Sequence, residues 1–514
     1  MLNILGYLIG LLCSILFVAI FKFYNKFWLV PTRIKNVLNS QQIMGPSYNF
    51  IHGNTKEISM LRNKSMILPM DTSSHNIFPR VQPHMDACFR IYGKNFLYWH
   101  GPQPELVIAE PKLLKEVMSE KEISMGRPDM GPVFKRLHKE GLLLSEGDKW
   151  VKKRKIATHA FNGQRLKDMI PAMIESVSMM LKRWKDAKTK EMDVYAEFKI
   201  LTSEVISRTA FGSSYEEGKQ VFQKLGALSL LAAKNSNKNR LLGFGKIFKD
   251  KDVIESNKLD TGIQEIILQM IRNRESMPTS QDEENFKSDY LGLLLNAQYY
   301  MDKDCKFSIQ EIIGDCKTFY SAGHGMTSIL LSWMTLLLGI HTEWQEKARM
   351  EVQEVFGQQI PSSDGVAKLK IIGMIINETL RLYPPAVVII RKVSREMKVG
   401  KLIVPANINL HVPVLALHHD PEIWGKDAHL FKPERFSEGI AKATNNNPGA
   451  FIPFGYGPRN CVGSNFALNE AKVTLSMILQ HYRFTPSSSY VHEPILQLVT
   501  PRPKYGVQMI FQDL

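Results

Sequence analysis

The first hydrophobic run, Leu2 to Phe21, is broken only by Asn3, Ser14 and small residues, and it has the length of one bilayer crossing. Four cations follow it (Lys22, Lys26, Arg33 and Lys35), with Tyr24, Phe27 and Trp28 interleaved as interfacial aromatics. Positive charge on this flank predicts an uncleaved anchor over residues 1–23, with the bulk of the chain on the cytosolic side. A cleaved signal peptide fits less well, because no basic segment precedes the run and no small-x-small site follows it. Residues 24–46, closing on Gly45-Pro46, read as a basic and polar linker, and residues 47–514 as one large domain.

Past the linker the apolar spacing is mostly that of helices. Met85 to Gly93, Lys149 to Thr158, Met169 to Lys185, Asp193 to Phe211 and Leu369 to Tyr383 all carry it, and a further helix opens at Ser464. The longest pattern runs from Ser308 to Glu346 and starts with a capping box, Ser308 with Glu311. Its stretch Ile329 to Ile340 is apolar but too short to span a bilayer, so it predicts a buried core helix. Short strands are expected at Phe96 to Trp99, Glu105 to Ala109, Val387 to Ile390, within Lys401 to Leu417, and beyond Phe484. The sum is a mainly α fold with small β-sheets. Asn235 to Lys251 mixes cations with Leu241, Leu242, Phe244, Ile247 and Phe248; it reads either as a loop touching the membrane surface or as a mobile surface loop. Arg274 to Ser288 reads as a polar loop.

Composition narrows this picture modestly. Five cysteines in 514 residues, odd in number and without CxxC spacing, argue against a disulfide framework or a zinc site and for a reducing compartment. A formal charge of +15 suits an anionic membrane face or an acidic protein partner. No nucleic-acid motif accompanies the charge, so no nucleic-acid partner is expected.

The chemistry concentrates in Phe454-Gly-Tyr-Gly-Pro-Arg-Asn-Cys-Val-Gly463. One cysteine, Cys461, stands at the mouth of a helix, where the dipole and free N–H groups favour a thiolate. Gly457 permits a turn, Gly463 permits close approach of a flat ligand, Arg459 suits a carboxylate on that ligand, and Phe454 can shield the sulfur from water. The spacing Phe-x-x-Gly-x-Arg-x-Cys-x-Gly resembles the haem-ligand loop of the cytochrome P450 family, with every fixed position met. Glu378-Thr-Leu-Arg381 and Pro433-Glu-Arg-Phe436 resemble two more of its motifs, in which Arg435 joins a buried Glu378–Arg381 pair to lock the fold around the cysteine loop. Trp150 and Arg154, four residues apart on one helical face, would alone pass for a packed tryptophan and a solvated arginine. The resemblance gives them to the haem propionates, together with Arg391. It also makes Val387, Val388, Ala322 and Gly323 substrate-pocket candidates. Lys152, Lys153 and Lys155 read as a solvated face, with reductase docking as the second reading.

The resemblance implies a single haem domain on the anchor. It further implies a haem-thiolate monooxygenase that inserts one atom of dioxygen into a hydrophobic small molecule, terpenoid or hormone-like. Electrons would come from NADPH through a membrane-bound cytochrome P450 reductase. The enzyme would sit in the endoplasmic reticulum membrane as a single-pass protein with lipid and reductase as partners. One motif departs from the pattern. Where the family carries an acid followed by threonine in its distal helix, Ala322-Gly-His-Gly-Met-Thr-Ser328 has Gly325 and Met326. Thr327, His324, ordered water or a substrate hydroxyl are the candidates to deliver protons in their place. That departure keeps two alternatives in view, a hydroperoxide isomerase or dehydratase on the same fold and a non-catalytic haem-binding relic.

Overall fold

In the computed structural model, residues 2–67, 69–119, 125–187, 189–213, 215–235, 251–276, 289–300 and 306–514 are described. Residues 236–250 of the loop expected at Asn235 to Lys251 and most of that at Arg274 to Ser288 lie outside the described residues, as does Cys305.

Helices dominate. The N-terminal run forms helix α1 (Leu2–Tyr24), exposed along its whole described length and long and apolar enough to cross a membrane. The segment expected to be a linker is helical instead. A π-helical turn (Asn25–Leu29) leads directly into α2 (Val30–Asn39), whose Ile34 and Leu38 are buried against the main sheet. The polar residues of this stretch occupy one side only, so its other side packs as an amphipathic helix does.

That sheet runs in the order β1 (Asn95–His100), β2 (Gln103–Ile108), β5 (Asn409–Val412), β4 (Ile389–Val393), β3 (Met125–Gly126). Only the β2–β5 pair is parallel. The helical body is built from α3 (Gly147–Ala160), α4 (Gly163–Lys185), α5 (Val194–Phe211), α6 (Tyr215–Asn235), α7 (Ile309–Ile340), α8 (Thr342–Phe356), α9 (Lys370–Leu382) and α10 (Ser464–His481). The hairpin β6–β7 (Pro494–Gln497, Thr500–Pro503) closes one side.

Helix α7 begins with the expected capping box but ends six residues short of Glu346. His341 leaves helical geometry (φ −102°, ψ 71°), and α8 starts afresh after it. Buried continuously from Ile312 to Tyr320 and again from Thr327 to Gly339, α7 is the axis of the core. Glu351 of α8 caps α9, its carboxylate accepting from the Lys370, Ile371 and Ile372 backbone N–H groups at 2.6, 2.7 and 2.9 Å. A carboxylate there complements the helix dipole, and it fixes the helix that carries Glu378 and Arg381.

Candidate haem site

The cysteine loop is held by its own backbone. Cys461 N donates to Phe454 O at 2.8 Å and Gly455 N to Ile452 O at 3.0 Å. Gly457 has φ +76°, and a Cβ there would lie 2.0 Å from Met118 O, so only glycine makes this turn. At Gly463, which precedes α10, a Cβ would meet nothing within 4 Å. Protein surrounds Cys461 on most sides, yet its side chain is exposed rather than packed against neighbours. Burial pushes its thiol pKa up, opposed by the Gly463 N–H and the Arg154 charge. A thiolate here therefore calls for a cation on the sulfur, and an iron centre supplies one.

Charge on the loop's flanks tells the same story. Arg127, Arg391 and Arg459 are all largely enclosed, and burial lowers them to about 9, 10 and 10; the Arg391 charge also lowers Arg127. Among the described residues neither Arg127 nor Arg391 has an ion-pair partner within 4 Å, and Arg127 Nε is buried without a hydrogen bond. Glu146, which accepts from the Arg127 backbone N–H, is the carboxylate nearest this pair and offsets only part of its charge; enclosed cations in such excess are costly unless a ligand brings further anions. The two propionates of haem fit that need. Arg459 sits with its guanidinium carbon 4.5 Å from the centre of the Trp150 ring and donates to Ser145 O at 2.8 Å. Arg154 has a different setting from the expected one: its two terminal nitrogens fork onto Asn460, at 2.6 Å to the carbonyl and 2.7 Å to Oδ1. It braces the cysteine loop directly. Arg127 escapes a reading of the sequence because an isolated arginine before a proline has no pattern of its own; only the fold brings it beside Arg391.

Glu378 and Arg381 form a fully enclosed bidentate pair at 2.7 and 2.7 Å. Arg381 also donates to the carbonyls of His418, Ala428 and Leu430, while Arg435 stands 3.6 Å from Glu378 and binds the Trp424 and Asp427 carbonyls. The geometry reaches the cysteine loop through one histidine. His418 Nδ1 donates to Leu380 O at 3.2 Å, and its Nε2 accepts from Ile452 N at 3.1 Å. Burial holds this imidazole down at about 3, so it stays neutral and can play both roles.

In the middle of α7, residues 321–326 are all at least partly open, although buried residues flank them on both sides. The openness is greatest at Ala322 and Met326, one turn apart, with Met326 40% exposed. Gly325 points a would-be Cβ into open space. Gly323 does not: its Cβ would lie 2.7 Å from Ile206 of α5, so this glycine serves helix packing rather than the pocket. Thr327 and His324 also turn from the open stripe. Thr327 is buried and donates to Gly323 O at 3.2 Å. The His324 ring lies edge-on to Phe222 of α6, its Nδ1 donates to Tyr320 O at 2.6 Å, and burial lowers it to about 4. Each residue in a helix is rotated about 100° from the last, so neither can stand where Gly325 and Met326 do. Val387 is fully enclosed, its N–H on Val499 O at 2.9 Å, whereas Val388 is part open.

Two lysines of α3 also differ from expectation. Lys153 is buried 3.5 Å from Asp315 of α7, with 1% and 0% of the two side chains exposed, and it donates to the carbonyls of Glu140 and Glu311. Lys152 lies over the Phe307 ring at 4.1 Å, so of the three only Lys155 is plainly solvated.

A thiol at a glycine-turned helix mouth, enclosed arginines, and a core helix left open at its middle are the arrangement expected of a haem-thiolate fold. Residues 75–509 match the profile of the family described as Cytochrome P450, and the chain belongs to that family. It is 52% identical to Cytochrome P450 CYP749A22 of Panax ginseng over 511 residues, covering 99% of this chain and 97% of that one. It is 38% identical to echinocystic acid 23-monooxygenase of Saponaria officinalis, with 94% of both chains covered. With 11-oxo-beta-amyrin 30-oxidase of Glycyrrhiza uralensis it shares 38% identity, over 95% of this chain and 94% of the relative. The cofactor is haem bound through a cysteine thiolate, and the activity is that of a monooxygenase.

Proposed function

We propose that Cys461 is the haem ligand, that the opening at Cys461 and the open stripe of α7 belong to one slot, and that the slot oxidises a hydrophobic terpenoid-like molecule. One observation carries this reading: between its two buried stretches the core helix is open, most at Ala322 and Met326, with free space at the Gly325 Cβ position. Haem held there would supply the activation of dioxygen and the insertion of one of its atoms into a C–H bond, the other leaving as water. The chain's own residues do the rest. Arg127, Arg391 and Arg459 neutralise the propionates, with Trp150 supporting Arg459. Arg154 and the His418 bridge hold the cysteine loop in place. Ala322, Met326 and Val388 offer apolar walls that keep bulk water from the reacting carbon. The names of the terpenoid-oxidising relatives support the substrate class, α1 supports attachment to a membrane, and membership of the family supports an NADPH-dependent reductase at the endoplasmic reticulum as the source of electrons.

The test is turnover of the full chain with reductase, NADPH and isotopically labelled dioxygen across triterpenoid alcohols and acids. One labelled oxygen atom per product supports the proposal. Turnover of a lipid hydroperoxide without reductase, and no labelled product, would favour the isomerase reading instead.

A further inference from the structure

The anchor of this protein is not joined to the domain by a tether. From Leu2 to Asn39 the backbone is one unbroken helical rod, with Tyr24, Leu29 and Val30 all in helical geometry at the joints. Its weak point is Pro31, which has no N–H to give to Phe27 O four residues earlier. Two features compensate. The turn widens to a π-helix over Asn25–Leu29, with Val30 N–H reaching Asn25 O, and Tyr48 OH donates to the Phe27 carbonyl at 2.7 Å. Burial pushes the Tyr48 pKa up to about 12, so this hydroxyl remains a donor. Phe27, expected to lie at the membrane interface, is instead only 5% exposed.

Further along the rod, Ile34 and Leu38 enter the core beneath the sheet. Gln41 then clasps Ile403 twice, donating to its carbonyl at 3.0 Å and accepting from its N–H at 2.7 Å. The loop that follows is equally fixed. Leu97 N donates to Met44 O at 2.9 Å, Asn54 and Trp99 exchange two hydrogen bonds, and Gly45 leaves no room for a Cβ against Leu97 O. This loop carries Phe50, 44% exposed, to the side of Trp28, 41% exposed; the rings meet edge-on at 6.0 Å, and Phe23 reaches Phe50 at 6.2 Å. An aromatic from the rod and one from the domain thus stand together, exposed and next to the apolar span, on a stretch of the rod that also carries Lys22, Lys26 and Arg33. Such a belt matches the headgroup zone of a bilayer.

We propose that anchor and catalytic domain form one rigid body seated on the lipid headgroup surface through an aromatic pad of Trp28 and Phe50. The inference rests on reading α1 as the membrane anchor. It is tested with the full chain in phosphatidylcholine nanodiscs, by two measurements that do not depend on haem. The first is amide hydrogen exchange: residues 25–39 should exchange at least about a hundred-fold more slowly than an unstructured peptide, with Tyr48→Phe accelerating them. The second is quenching by lipids brominated near the headgroup. Fluorescence lost on quenching should shrink in Trp28→Phe, and Phe50→Ser should weaken the quenching of Trp28. Free exchange over 25–39, or a Trp28 that these lipids leave unquenched, overturns the rigid seat while leaving the anchor intact. A chain that fails to enter nanodiscs overturns both.

Discussion

Arg391 shows how a single buried charge reports on a missing partner. Enclosed beside Arg127, it hydrogen-bonds among the described residues to the carbonyl of its own neighbour, Ile390, at 3.2 Å and to no other group. Arg391→Leu should therefore stabilise the haem-free protein slightly while weakening the haem complex by ~1.5–3 kcal/mol, the value of a hydrogen bond to a charged group. Haem transfer to an acceptor apoprotein would read this as loss accelerated about tenfold or more. The same scale separates the candidates for proton delivery. Gly325→Glu with Met326→Thr places acid and alcohol on the open stripe, and product formed per NADPH consumed should rise. Thr327→Val should leave that ratio within about twofold, because its hydroxyl is tied to Gly323 O; a true proton donor would cost ~10²-fold or more. An unchanged ratio in the double variant would show that the native helix already has another proton route. Much at this scale was legible in the sequence: the cysteine loop and the Glu378–Arg381 pair stand out through their resemblance to family motifs, and the structure shows the pair enclosed. The facing of His324 and Thr327 was not, because only the crossing of α5 and α6 over α7 decides which stripe stays open.

Among the elements, α3 and α7 are tied by a buried charge pair that charge patterning in the sequence conceals. A run of Lys152, Lys153 and Lys155 looks like a wetted face until Asp315, far along the chain, is brought to 3.5 Å. Gly141 and Gly314 allow the approach, since a Cβ on either would collide with the other segment. Removing one partner strands the other, so Lys153→Met should cost ~3–5 kcal/mol of stability. Lys153→Met with Asp315→Leu should recover most of it, measured by chemical denaturation in detergent. Equal loss in single and double variants would show that Lys153 acts through its carbonyl contacts instead. The expected linker is helical over residues 25–39 for a related reason. Its charges and proline mask an apolar stripe, and Ile34 and Leu38 become core residues only because the sheet lies beside them.

For the molecule as a whole, the histidines set the acid limit. Burial lowers His75, His138 and His418 to about 3, and His84, His324 and His492 to about 4, from an ordinary value of 6.5. These groups are neutral when folded and take protons once unfolded. Their contribution is complete above pH 6.5 and is lost as pH falls from there towards the folded values. The melting temperature should drop steadily between pH 6.5 and 4, and His418→Gln should flatten that slope; a flat native profile would contradict the assignment of these rings as neutral.

Everything in the cofactor site converges on one sulfur atom. The most direct measurement is the difference spectrum of the reduced, carbon-monoxide-treated full chain, native against Cys461→Ala. The native protein should give the absorption band of a thiolate-ligated haem, and the variant should lose it. A variant that keeps the band, or a native protein that never shows it, would contradict the placement of haem on Cys461.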